Sequence, residues 1–344
     1  MQPSVYTIPA GLHFARLLIA GVVARVGRDP LALSDTKIFV PTRRAVRTLQ
    51  EEFTRALDGA SLGPCIHALG DLDDEEIAFD LYTDDIALAP AIAPMKRRLA
   101  LAQLVWRWHE KRGTPPPFAQ AVSHAGELGR FLDEVSEQNS DLAELCNLAP
   151  DSLAAHWQKV TEFLQIVAAN WPSYLEDNGY LDPADRRDTL IRRQARSYLN
   201  NPPRGWVIAA GSTGSIPATR ELLKVVAHLP QGAVVLPALD CDLDEESWTK
   251  LGAGHAQYGL RELLTHIGLT RADVRAWSEL QPATVQRPRL RFLSEALRPP
   301  PTTDSWRDLI EKNKQAFAHA LDGVSLIEAA NPHEEAIAVA IALR

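Results

Sequence analysis

Apolar and polar positions follow two different rhythms along this chain, and the change between them divides it. Short apolar runs occur at Val5–Ile8, Lys37–Val40 and Cys65–Leu69, each bounded by turn-forming residues. Between them apolar residues recur every three or four positions, from about Leu12 to Val26 and from Arg43 to about Leu57, which is the period of an amphipathic helix. Strand, helix, strand, helix at this spacing predicts a parallel sheet with crossover helices. From about Asp73 to Asn200 the strand-like runs stop. Helical periodicity fills Met95–Lys111, Phe118–Gln138, Ser152–Leu175 and Pro183–Leu199, and Pro115-Pro116-Pro117 separates the first two. The earlier rhythm resumes with strands at Trp206–Ala210 and Ala233–Leu236 and helices after Gly211–Ser215 and from Tyr258 to Ile267. A Pro- and Arg-rich connector follows at Pro282–Thr303, then a helix from Trp306 to about Ala320. A last strand at Val324–Ala329 and a final helix complete the pattern.

The expected class is α/β, a parallel sheet interrupted by a helical subdomain. Its divisions are residues 1–72 for the first half of an α/β lobe, 73–200 for the helical insertion and 201–280 for the second half. Residues 281–323 form a connector with a helix, and 324–344 begin a truncated second lobe. A chain of 344 residues exceeds the roughly 250–300 at which one hydrophobic core stops growing, so two packed lobes are expected. The helix over Glu334–Arg344 breaks off without a Gly, Pro or polar cap, as in a piece of something longer.

Composition narrows the function more than the fold. Apolar residues at 46% and charged residues at 23% are ordinary for a globular chain. The net charge of -8 argues against coating nucleic acid by bulk electrostatics and leaves room only for a local basic groove. Cys65, Cys146 and Cys241 are scattered with no Cys-x-x-Cys pair, which suits a reducing compartment rather than a disulfide, iron–sulfur or zinc framework. The most apolar stretch, Leu17–Val26, is too short to span a bilayer. The expected location is cytoplasmic, with no membrane partner.

Four kinds of candidate site follow, none with a catalytic set. A hydrolysing phosphate loop needs Gly-x-x-x-x-Gly-Lys-Ser/Thr, and the first strand–loop–helix carries Pro9-Ala10-Gly11-Leu12-His13 instead, without lysine or hydroxyl. Loss of that charge and that metal ligand predicts a degenerate nucleotide loop with no ATP hydrolysis. Gly211–Ser215 offers two glycines and three hydroxyls between a strand and a helix. It is either an anion-binding nest of backbone amides or a tight turn capped by Ser215. Thr42, Arg43, Arg44 and Arg47 open a helix at the carboxyl end of a strand, where Thr42 and the arginines are placed to hold a DNA phosphate. The alternative there is a solvated face, with Arg47 paired to Glu51. Other Arg clusters are Lys96–Arg98, Arg186–Arg196 and Arg287–Arg291. The middle one is interleaved with Asp182, Asp185 and Asp188 and reads as a solvated, self-paired helix. Acidic clusters at 71–76 and 240–246 read as loops and helix starts rather than metal sites, and Asp35-Thr36-Lys37 is only a partial nuclease match. No catalytic residue and no metal ligand is assigned.

Several stretches, in order, resemble the AddB family, the second subunit of the bacterial AddAB helicase–nuclease of double-strand-break repair. They are Ile38–Ala45, Gly179–Arg187, Ala209–Thr219, Val235–Asp240 with Leu243–Trp248, His255–Leu260 and Glu328–Ala336. The resemblance implies a RecA-like sheet of the superfamily-1 helicase type, with Pro41–Arg43 facing single-stranded DNA and Gly211–Thr219 linking the nucleotide site to DNA, which makes Thr42, Arg43, Gly211, Thr213 and Ser215 the expected DNA contacts. It also implies an AddA-type partner that supplies ATPase and motor activity, single-stranded or end-unwound DNA as ligand, and a nuclease domain in the parent that this chain does not reach. ATP and Mg²⁺ belong to the parent complex; no cofactor is expected in this chain. Two alternatives stay open: a nucleotide- or small-molecule-binding α/β enzyme using the Gly211–Ser215 loop, and a purely structural partner-binding domain.

Overall fold

A computed structural model describes residues 2–57, 59, 62–71, 88–142, 144, 155–278 and 286–344. The strands are β1 (Val5–Ile8), β2 (Lys37–Val40), β3 (Cys65–Ala68), β4 (Val207–Ala210), β5 (Gly232–Pro237) and the short β6 (Arg275–Ala276). They form one sheet in the order β3-β2-β4-β5-β1-β6, every pairing parallel. The chain is thus α/β, with an all-parallel sheet of the kind found in RecA-like folds. The whole of β4 and the first five residues of β5 are buried. That explains why they read as unbroken apolar runs rather than alternating ones. Two residues of β6 are too few to leave a period, so the sequence pattern missed that edge strand.

The sheet belongs to a compact unit made of Met1–Ile8, His13–Leu239 and Gly259–Glu279. Helix α1 (Phe14–Val26) follows β1, the short α2 (Pro30–Ser34) precedes β2, and α3 (Arg43–Ala56) follows it. Trp277, just beyond β6, is buried and donates its indole N–H to the Leu18 carbonyl at 3.2 Å. The ring lies against α1 where Gly21 leaves room: a Cβ there would stand 2.1 Å from the indole nitrogen. Arg25 stacks over the same ring at 3.7 Å, and Tyr6 meets it edge-on at 5.1 Å.

Among the described residues, four helices separate β3 from β4: α4 (Pro94–Lys111), α5 (Phe118–Glu137), α6 (Ala155–Asp177) and α7 (Pro183–Asn200). Leu101, Val105, Ala121, Ala125, Val167 and Trp171 form the centre of their shared core. Inside it sits an ion cluster. Arg97 of α4 lies 2.9 Å from Asp182 and 2.8 Å from Asp133 of α5, and the Trp171 indole donates to Asp182 at 2.9 Å. Asp182 and Asp188 are both buried, and Arg187 reaches Glu137 of α5 at 2.9 Å. The expectation of a solvated, self-paired helix at Asp182–Arg196 is therefore corrected. Asp182 binds neighbouring helices, and Asp188, though paired with Arg187 of its own helix, is buried on the side of α7 that carries Leu190, Ile191 and Ala195. Burial raises the Asp182 pKa, and the attraction of Arg97 only partly offsets it. The folded chain accordingly holds this proton to higher pH than the unfolded chain. The group's contribution to stability falls as pH rises from the ordinary aspartate range through the raised folded value.

The second compact unit comprises Pro9–Leu12, Asp240–Tyr258 and Leu280–Arg344. It contains α9 (Glu245–Thr249), α11 (Gln286–Ala296), α12 (Trp306–Ala320) and α13 (Pro332–Ala342); α8 (Pro217–His228) and most of α10 (Tyr258–Ile267) lie in the first unit. Helix α11 occupies part of the predicted connector, and Phe292 meets Phe317 edge-on at 5.6 Å to pack it on α12. The strand expected at Val324–Ala329 is not formed: the segment has no regular secondary structure and is exposed. Apolar β-prone residues specify a strand only where a neighbouring strand takes their N–H and C=O groups, and among the described residues no strand pairs with this segment. No helix among the described residues is long and apolar enough to cross a membrane.

Two stability measurements check this packing. Gly21→Ala forces the Trp277 ring out of place and is expected to lower unfolding stability by about 1–3 kcal/mol, despite alanine's better helix propensity. Asp182→Ala leaves Arg97 short of a buried counter-charge and is expected to cost about 3 kcal/mol in urea denaturation at neutral pH. Asp182→Asn, which keeps an acceptor for Trp171, is expected to cost less.

Candidate nucleic-acid interface at the carboxyl edge of the sheet

The connection after β2 runs outward to β3, whereas that after β4 runs the other way to β5, yet β2 and β4 are hydrogen-bonded neighbours. Diverging connections from adjacent strands open a crevice at the carboxyl ends, the usual ligand position in open parallel sheets. Two of the sequence candidates meet there. Gly211 follows β4 with φ of +78°, and a Cβ on it would touch Pro41 Cδ and Phe14 Cε1, each at 3.6 Å. The end of β3 joins them, for the Gly70 amide donates to the Pro41 carbonyl at 3.1 Å. Loops from β2, β3 and β4, with the first residue of α1, thus converge within one unit.

Thr42 is the N-cap of α3, its hydroxyl accepting from the Ala45 amide at 3.2 Å. That uses an oxygen lone pair and leaves the O–H able to donate. Arg43, Arg44 and Arg47 follow on the exposed side of α3, while Leu49 and Phe53 bury the other. Glu51, expected beside Arg47, instead lies 3.8 Å from Arg55. The first turn of α3 contains no acidic residue, so Arg43 and Arg44 stand at the positive end of a helix dipole, with Arg47 one turn further on.

In the Gly211–Ser215 loop the amides divide into two sets. Gly211 N–H donates to Val235 in the ladder at 3.0 Å, and Gly214 N–H to the Ser212 hydroxyl at 3.3 Å. The amides of Ser212, Thr213, Ser215 and Ile216 have no acceptor among the described residues. Gly214 is buried with φ of +64°, and a Cβ there would press on Leu263 at 3.1 Å. Ser215 does not cap the following helix. The N-cap of α8 is Ile216, which has no side-chain oxygen to offer, so the capped-turn reading is corrected. Sequence reasoning missed Arg220, whose Nε donates to the Gly214 carbonyl at 2.9 Å. An arginine in the first turn after a glycine loop is the signal that was there to read.

The other candidates lie elsewhere. Pro9–Leu12 groups with the second unit and turns through Gly11 at φ of +78°; His13 begins α1 without a side-chain cap. Lys96, Arg97 and Arg98 are engaged within the helical segment, with Tyr180, the buried acids and the Val122 carbonyl. Acidic residues 73–76 lie outside the described residues. In the 240–246 cluster, Asp240 accepts from the Asp242 and Leu243 amides, and Asp244 caps α9 through the Ser247 amide at 2.8 Å. Arg298, buried, binds Asp244, Glu295 at 2.7 Å and the Ser247 hydroxyl at 2.6 Å, and Ser247 donates to Thr302 at 2.8 Å. Among the described residues no three His, Cys, Asp or Glu side chains gather as metal ligands.

Although partial burial opposes ionisation, hydrogen bonds from Ser247 and Arg298 hold the Asp244 carboxyl below the usual aspartate range. Its stabilising contribution is present above the unfolded-state value and is lost as pH falls through the depressed folded value. Following the Asp244 carboxyl carbon by NMR during acid titration is expected to show this low midpoint. In Arg298→Ala the midpoint is expected to move up toward that of an ordinary aspartate. No protein-family model matches the chain, and no curated protein matches it.

Proposed function

We propose that this chain is the non-hydrolysing, helicase-like part of a double-strand-break repair helicase–nuclease. In this reading it binds single-stranded or end-unwound DNA at the carboxyl edge of its sheet and acts as a scaffold for an AddA-type partner. The observation that carries the reading is the juxtaposition of the β2 and β4 loops at the switch point, Pro41 beside Gly211. A phosphate backbone suits what is gathered there. The Gly211–Ser215 loop offers amides without acceptors, Thr42, Thr213 and Ser215 offer hydroxyls, and Arg43, Arg44 and Arg47 offer exposed charge. A phosphate near the start of α3 would also meet the positive end of the helix dipole. The chain's net charge of -8 confines binding to this local face. The repair role rests on the ordered resemblance of Ile38–Ala45, Gly179–Arg187 and Ala209–Thr219 to the AddB family. ATP and Mg²⁺ chemistry is assigned to the parent complex, because Pro9–His13 lacks the phosphate-binding lysine.

Binding of a fluorescent single-stranded oligonucleotide, measured across a salt series, tests the proposal. Changing Arg43 and Arg44 together to Ala is expected to weaken binding about tenfold and to lower the log–log salt slope by about 1.4. No binding by the unaltered chain, or an unchanged slope in the double variant, would count against this face. Micromolar ATP binding abolished by Gly214→Val would instead favour the nucleotide-binding alternative.

A further inference from the structure

Arg220 is the fourth residue of α8, and its guanidinium is turned back onto the loop that precedes the helix. Its Nε donates to the Gly214 carbonyl at 2.9 Å and its Nη2 to the Ser215 carbonyl at 3.5 Å. Within one planar trans peptide unit the carbonyl and the next amide point to opposite sides. Holding the carbonyls of Gly214 and Ser215 toward Arg220 therefore turns the amides of Ser215 and Ile216 away from it. These are two of the four loop amides with no acceptor among the described residues. Gly214, pinned at positive φ over Leu263, supplies the bend that lets both carbonyls reach one side chain. Gly259 closes the other flank, where a Cβ would stand 3.3 Å from the Thr213 carbonyl.

We infer that Arg220 is the positioning residue of the Gly211–Ser215 loop, fixing two peptide planes so that their amides are presented together to a phosphate. The inference rests on the DNA-binding reading for its consequence, but the hold on the loop is a separate, measurable property. Arginine suits the task because its planar fork offers divergent N–H groups at fixed spacing, whereas a lysine ammonium is a point donor.

The full chain with Arg220→Gln and with Arg220→Lys provides the test, using ¹⁵N relaxation of the loop amides and a salt series of oligonucleotide binding. In Arg220→Gln the order parameters of residues 212–216 are expected to fall from about 0.85 to below about 0.6. Single-stranded DNA affinity is expected to drop about tenfold with the salt slope unchanged, because Arg220 touches no phosphate itself. Arg220→Lys keeps the charge and one donor, and is expected to lose about threefold in affinity, again at constant slope. Unchanged loop order in both variants overturns the inference. A reduced salt slope with an ordered loop also overturns it, since Arg220 would then be a direct phosphate contact. A loosened loop with unaltered DNA affinity, in a chain where changing Arg43 and Arg44 does weaken binding, removes the loop from the interface. If the unaltered chain binds no DNA, the functional proposal fails, and the relaxation data alone decide whether Arg220 holds the loop.

Discussion

The parallel pairing of β2 with β4, in the register Ile38 to Ile208 and Phe39 to Ala209, is the constraint on which the candidate site depends. Parallel neighbours cannot be joined by a hairpin; they need a crossover connection. Here that connection includes β3 and the helical segment, and α7 brings the chain back, its Tyr198 ring 6.3 Å from Phe39. Once β4 is seated beside β2, the loops leaving the two strands must emerge side by side and then diverge. The crevice is a consequence of connectivity before any side chain is considered.

Each compact unit is tied by an arginine, half-buried at Arg97 and buried at Arg298, rather than by apolar contact alone. Arg97 joins α4 to Asp133 and Asp182, and Arg298 joins α11 to the start of α9. In both the guanidinium serves more than one acid, so that charge removed from water meets charge and hydrogen-bond partners. The two sites differ in their electrostatic balance. Burial dominates at Asp182 and raises its pKa, whereas at Asp244 burial is outweighed by the combined hydrogen bonds of Ser247 and Arg298 and the Arg298 charge, which lower it. Arginine abundance in this chain is thus largely structural in these places and does not by itself mark a nucleic-acid surface.

The arginines of α3 are a different case, because they are exposed at the end of a helix that has no acid in its first turn. Their neighbours at the switch point are backbone groups, and what those groups present depends on how the chain bends at Gly211 and Gly214. A side chain outside the crevice, Arg220, takes up the loop's carbonyls and so settles which way its amides face. Specific recognition in such a crevice is a property of peptide-plane orientation as much as of charge.

The sequence by itself determined the fold class. The unbroken apolar runs at β4 and β5, the helical periods between β3 and β4, and the turn residues at Pro41 and Gly211 are local signals with local causes. It also singled out the candidate loops, since Gly211–Ser215 and Thr42–Arg47 are legible from residue type alone. Only the tertiary structure decided that these two loops are neighbours, because strand order is set by packing between residues far apart in the chain. It likewise decided which charges are solvated. Asp182 looks like part of a self-paired helix face in sequence, yet its partners Arg97 on α4 and Trp171 on α6 become visible only when the helices are assembled. The strand expected at Val324–Ala329 marks the same boundary from the other side. Its residues carry the propensity, but a strand is a property of two chains of hydrogen-bonding groups, and one segment cannot supply both.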